Sequence, residues 1–143
     1  MIPDFVDGCL PAGIYHAARA DVEAKLGWNE HRRLLLAGFG RGVSSLAAAG
    51  CTAVWLDGSF VTTKEHPEDF DACWDTEGVA VEQIDPVLRQ FDRGRRAQKL
   101  KFRGEFMPNG IELASGMLFL EFFQMTRDGG TKGIIQIDPE AWT

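Results

Sequence analysis

Two halves of unlike periodicity meet at Gly50, and that change constrains the fold more than any other feature of the sequence. Before it, Ile14, Ala17, Ala18, Val22 and Leu26 fall at helical spacing over residues 13–26, after a turn at Pro11. Asn29 is placed to cap a second helix through Leu34, Leu35, Phe39, Val43 and Leu46, whose middle is weakened by Gly38, Gly40 and Gly42. After Gly50 the apolar residues come in short runs: TAVWLDG (52–58), FDACW (70–74) and GIIQI (133–137) read as strands. KLKFRGEF (99–106) alternates strictly, with Leu100, Phe102, Gly104 and Phe106 on one side and Lys99, Lys101, Arg103 and Glu105 on the other, so it too reads as a strand. Helices are expected over Gln83–Phe91 and Ile111–Gln124, and turns at MPNG (107–110) and RDGG (127–130). The expected fold is α+β: one domain over residues 1–143, with two N-terminal helices preceding a small mixed β-sheet packed with helices.

A chain of 143 residues with 45% apolar composition can bury an adequate core without disulfides or a structural metal. Cys9, Cys51 and Cys73 are widely separated and belong to no CxxC pair, so they are expected as free thiols. No apolar run approaches the roughly 20 residues of a membrane span, and the opening residues lack the pattern of a secretory signal, so a cytoplasmic protein with no membrane partner is expected.

The net charge of −6 conceals an asymmetry. Seven of the 15 basic residues fall between Arg89 and Arg103, while Asp57 to Asp85 holds nine acids against Lys64 alone. Such neighbours suit a site that binds both a divalent cation and phosphate, although two solvated faces pairing with each other would give the same pattern.

Within the acidic stretch, Gly58 and Ser59 end one strand, and nine residues later Asp69 and Asp71 open the next as D-x-D. Alternation along a strand puts both carboxylates on one face, about 7 Å apart, within the span of a metal-ion site for phosphoryl transfer. Gly58 and Ser59, leading into a helical turn, would offer backbone N–H groups and a hydroxyl to phosphate.

This arrangement resembles the DNA polymerase beta-like nucleotidyltransferase superfamily, whose pattern is an apolar strand, Gly-Ser, a short connection and Asp-x-Asp on the neighbouring strand. The resemblance covers about 50 residues, from Val54 to Glu105. It implies a third carboxylate on a later strand, matched here by Glu105, and a magnesium-bound nucleoside triphosphate as substrate. Asp69, Asp71 and Glu105 would then be the catalytic, Mg²⁺-holding carboxylates, with Glu105 also deprotonating the attacking hydroxyl. Gly58 and Ser59, with Lys101 and Arg103 nearby, would contact nucleotide phosphates, and RNA or protein would accept the nucleotidyl group. Asp57 before Gly58, where the pattern prefers an apolar residue, and Glu rather than Asp at position 105 depart from the family pattern. The wider chain is similar to short bacterial nucleotidyltransferase-like proteins connected with toxin–antitoxin and phage-defence systems. The small size, with no obvious acceptor-binding domain beyond the catalytic core, motivates an alternative: a catalytically silent regulator or antitoxin that keeps the fold and binds a cognate partner protein.

Other groups carry less. Cys73 with His66 lacks a third orienting residue, Phe119, Phe122 and Phe123 at helical spacing read as core, and GGTKG (129–133) lacks the spacing of a phosphate loop and reads as a turn.

Overall fold

The computed structural model of the chain describes residues 2–90, 95–110 and 115–142. Its sheet has five strands, β1 Gly13–His16, β2 Val54–Asp57, β3 Phe70–Trp74, β4 Gly104–Pro108 and β5 Gly133–Ile137, in the order β1-β5-β2-β3-β4. The pairs β1·β5 and β3·β4 are parallel, while β2 runs antiparallel to both of its neighbours. Among the described residues five α-helices pack around it: α1 Arg19–Leu26, α2 Glu30–Ala48, α3 Arg96–Phe102, α4 Phe119–Phe123 and α5 Pro139–Trp142. The fold is α+β with a mixed sheet.

Asn29 caps α2, its side chain accepting the Arg32 N–H, which satisfies one of the orphan donors of the first turn. The helix then lays Leu35, Phe39, Val43 and Leu46 on one face of the sheet, against Leu56, Phe70, Ala72, Phe106 and Ile135. Phe39 is the hub, edge-on to Phe70 at 5.3 Å and stacked on Phe106 at 5.7 Å. The expected weakness in α2 is not a break. A Cβ at Gly38 would collide with the Phe102 carbonyl, and one at Gly42 with the Phe106 ring. Both glycines therefore let α3 and β4 approach the helix closely, at a local cost in helix propensity.

On the opposite face of the sheet the described residues form a smaller cluster of Ala53, Trp55, Cys73, Ile134 and Phe123. Of the three cysteines, all unpaired, Cys51 and Cys73 are buried. No helix among the described residues is long and apolar enough to cross a membrane.

Four expected elements differ. Residues 13–16 form an edge strand rather than the start of a helix, so the sheet begins before the two helices: Gly13 takes φ 145°, and the backbone pairs with the open side of β5. The 99–106 strand is shorter than expected, because residues 96–102 are helical and Arg103, at φ 67°, turns the chain into β4. Leu100 is 79% exposed, so only Phe102 of the expected apolar face in that segment enters the core. In place of a helix over 83–91 there are two 3₁₀ turns, Val81–Gln83 and Pro86–Arg89. Pro86 has no N–H for a continuing helix, and Ile84 and Leu88 still reach the core. Phe91 lies outside the described residues, as do residues 111–114. Of the expected helix 111–124 the described part is α4 alone, preceded by Gly116 at φ 74°.

Candidate active site

Strand register builds the site. Asp57 of β2 pairs with Asp71 of β3, and Asp71 in turn pairs with Glu105 of β4. Laterally paired residues share a sheet face, so three carboxylates stand in one row across three strands. Asp69, just before β3, lies beside that row, and all four acids line a cleft of about 690 Å³ with Gly58 and Ser59. Phe70, Ala72 and Trp74 point the other way, into the main core.

Gly58 is required at this corner for two reasons. Its φ is 85°, which disfavours any side chain, and a Cβ there would strike the Asp71 carboxylate. The segment after it is a single 3₁₀ turn, Ser59–Val61, rather than a helix, so a helix dipole adds little here. Ser59 lines the cleft. Its loop is anchored from beneath by Arg32, which is fully buried and donates to the carbonyls of Leu26, Phe60, Thr62 and Lys64. The Arg32 guanidinium also lies 3.7 Å from the centre of the Trp28 ring. Burial lowers its pKa to about 10, with Glu65 opposing the shift.

The electrostatics of the row are those of crowded, poorly hydrated acids. Burial raises the Asp71 carboxyl to about 7, and the neighbouring charges of Asp69, Glu105 and Asp57 push in the same direction. Burial likewise raises Asp57 to about 6, opposed by Lys132 and by the Gly58 N–H. Lys132 Nζ is 3.2 Å from Asp57 Oδ1, yet that oxygen receives no aligned hydrogen bond. At the other end of the row, Lys99 Nζ bridges Glu105 Oε1 at 3.2 Å and Asp69 Oδ2 at 3.5 Å. The Glu105 hydrogen bond raises the Lys99 pKa against burial, helped by both carboxylate charges. Arg95 Nε stands 3.6 Å from Glu105 Oε2.

The family description "Family of unknown function (DUF6932)" matches residues 3–138, nearly the whole chain. The chain belongs to the DUF6932 family. No curated protein and no solved structure matches it.

In this DUF6932 chain the cleft therefore holds Asp69, Asp71, Glu105, Gly58 and Ser59 together, but not every residue expected with them. Lys101 belongs to α3 and bonds the Asp85 carboxylate, while Arg103 is exposed at the end of that helix; neither lines the cleft. The physical reason is the helical conformation of residues 96–102, which removes the strand alternation that would have aligned them with Glu105. Arg95, Arg127 and Lys132 line the cleft instead, and Lys99 reaches two of its acids. Arg127 and Lys132 flank the turn that separates α4 from β5. Phe122, expected in the core, is 41% exposed and faces the cleft together with Phe119 and Met125. Cys73 is no nucleophile at neutral pH, since burial raises its thiol to about 12.

The fit of a divalent cation can be judged from the carboxylates themselves. Four acids share one cleft, and Asp71, at the centre of the row, resists ionisation because it is poorly solvated and flanked by other carboxylates. Bridging lysine already occupies the space between two of them, as a cation would. Among the described residues no group of three or more His, Cys, Asp or Glu side chains is arranged to hold a metal ion; Lys99 and Lys132 pair with the acids instead. The donor chemistry is that of hard oxygen ligands, which suits Mg²⁺.

Proposed function

We propose that the chain is a metal-dependent nucleotidyltransferase, moving a nucleotidyl group from a nucleoside triphosphate to a hydroxyl of RNA or protein. The observation that carries this reading is the register of Asp57, Asp71 and Glu105 across β2, β3 and β4, with Asp69 and the Gly58–Ser59 corner in the same cleft. Mg²⁺ held by Asp69, Asp71 and Glu105 would offset the charge that develops on the transferring phosphate. The chain's own part is to hold and orient the reactants. Ser59 offers its hydroxyl to the terminal phosphates from a corner that Gly58 keeps open and Arg32 holds in place. Lys99, Arg95, Arg127 and Lys132 neutralise phosphate oxygens along the walls. Glu105 takes the proton of the attacking hydroxyl, the α-phosphorus is inverted, and pyrophosphate leaves.

A second reading is favoured by one observation: Lys99 and Lys132 already pair with three of the four acids. In that reading the cleft is internally neutralised, and the fold serves as a catalytically silent regulator that binds a cognate partner protein, as in a toxin–antitoxin or defence system. Incubation with Mg²⁺, each labelled nucleoside triphosphate, total RNA and lysate separates the two. Label transfer that is lost in Asp69→Asn plus Asp71→Asn supports the transferase. Absence of transfer, with a co-purifying partner retained by that variant, supports the regulator.

A further inference from the structure

A second cleft, of about 590 Å³, opens on the helical layer between α1, α2 and α5. It lies along the side of α2 that carries Arg33, Ala37, Gly40, Arg41 and Ser44, and shares no lining residue with the acidic cleft. Its size falls within the range of small-ligand pockets.

Gly40 sets how closely Trp142 approaches this side of α2. Gly38 and Gly42 are explained by backbone and ring contacts with α3 and β4, whereas a Cβ at Gly40 would meet only the indole nitrogen of Trp142, at 3.2 Å. A glycine inside a helix costs about 1 kcal/mol relative to alanine. Here its effect is to let the Trp142 indole nitrogen lie close against α2 at the edge of the cleft. Trp142 is 4% exposed, its Nε1 has no hydrogen-bond acceptor among the described residues, and it forms part of the cleft lining.

The rest of the lining is rich in donors and poor in acceptors. Arg33 Nη1 donates to the Gly27 carbonyl at 3.1 Å and Arg41 Nη2 to the Lys101 carbonyl at 2.9 Å. Neither guanidinium forms an ion pair with a carboxylate of the described residues, and each has further N–H groups to offer. Arg19 stands beside them, its charge met by Glu23 at 2.7 Å, and Glu23 is the one carboxylate among the described lining residues. Two unmatched guanidiniums, a third already paired, an unpartnered indole N–H and the Ser44 hydroxyl together call for an anion with several acceptor oxygens.

We infer that the α1–α2–α5 cleft binds a small phosphorylated ligand in metal-free form. The absence of a free carboxylate among its described lining residues distinguishes it from the acidic cleft, where the triphosphate would arrive with a divalent cation. Planar guanidinium forks match phosphate oxygens in pairs, and two unmatched positive charges balance a phosphate dianion more fully than a single carboxylate.

The test is a calorimetric titration with pyrophosphate at low ionic strength in the presence of EDTA. Expected is saturable one-site binding, weakened about tenfold or more in Arg33→Gln plus Arg41→Gln, the loss of charge-assisted bonds. Trp142→Phe weakens it several-fold, while Asp69→Asn plus Asp71→Asn leaves it unchanged. Because Arg33 and Arg41 are exposed, their variants should melt like the parent protein, so a lost affinity reports the cleft. No saturable binding, an affinity indifferent to the two arginines, or malonate bound as tightly as pyrophosphate would each overturn the inference. Loss of binding in the Asp69 and Asp71 variant would instead move the phosphate to the acidic cleft.

Discussion

Asp57 and Asp71 face each other across the antiparallel β2–β3 pair, on the cleft side of the sheet. Like charges directly opposite in a sheet are destabilising, and these two are also shielded from water. Such a pair has to be balanced by a proton, by a side-chain cation or by an ion from solution, and each choice has a measurable consequence.

The first consequence is a pH-dependent stability that a metal reverses. An unfolded aspartate titrates near 3.9, whereas in the fold burial raises Asp71 to about 7 and Asp57 to about 6. Both carboxyls therefore contribute stability that is complete below about pH 4 and is lost as the pH rises through their folded values, by about 1.4 kcal/mol per group for each pH unit crossed. Metal-free protein should melt at a lower temperature at about pH 8 than at about pH 5. Mn²⁺ or Mg²⁺ should raise the melting temperature at the higher pH and have little effect at the lower. Asp71→Asn should remove most of both responses.

Lys99 supplies the second. Its ammonium lies between Asp69 and Glu105, so it competes with any divalent cation for them. Lys99→Met should bind Mn²⁺ more tightly, by about tenfold, when followed by paramagnetic relaxation without nucleotide. The same variant should transfer nucleotide more slowly, having lost a phosphate partner. Unchanged or weaker Mn²⁺ binding would contradict the competition.

Arg32 holds the loop that follows Ser59. Replacing it with Leu leaves the carbonyls of Leu26, Phe60, Thr62 and Lys64 without this donor. A loss of about 3 kcal/mol or more in urea unfolding is expected. Lysine at this position should not restore it, because one ammonium cannot reproduce the planar fork.

Gly38 and Gly42 separate helix propensity from packing. Alanine at either position favours an isolated helix by about 1 kcal/mol, yet a Cβ would press on the Phe102 carbonyl or the Phe106 ring. Both variants should be destabilised, by about 1–3 kcal/mol, as measured by chemical denaturation. A gain in stability would show that α2 can move away from β4.

How far the sequence foretold all this depends on how local the deciding interactions are. The strands at 54–57, 70–74 and 133–137 could be read directly, because each is a short apolar run whose partners cover it on both faces or nearly so. The edge strand Gly13–His16 could not, since its four residues owe their conformation to the open side of β5, more than 110 positions away in the chain. Alternation over 99–103 was ambiguous for a different reason: with Leu100 in solvent, it did not report a buried face. Asp69 and Asp71 stood out in the sequence by their spacing from Gly58-Ser59, whereas Glu105 was pointed to only by the family resemblance. Asp57 was visible only as a departure from that pattern, and its place in the row emerges from strand register. Lys132 and Arg127 were hidden in a turn, where glycine and charge are ordinary; only the return of β5 beside β2 brings them to the cleft.

The most direct measurement is a crystal structure with Mg²⁺ and a non-hydrolysable nucleoside triphosphate. Expected are ion density coordinated by Asp69, Asp71 and Glu105, Lys99 displaced from the two carboxylates onto phosphate, and the terminal phosphates beside Ser59. Carboxylates still bound by Lys99 and Lys132, with no ion or nucleotide before them at saturating concentrations, would contradict the transferase reading.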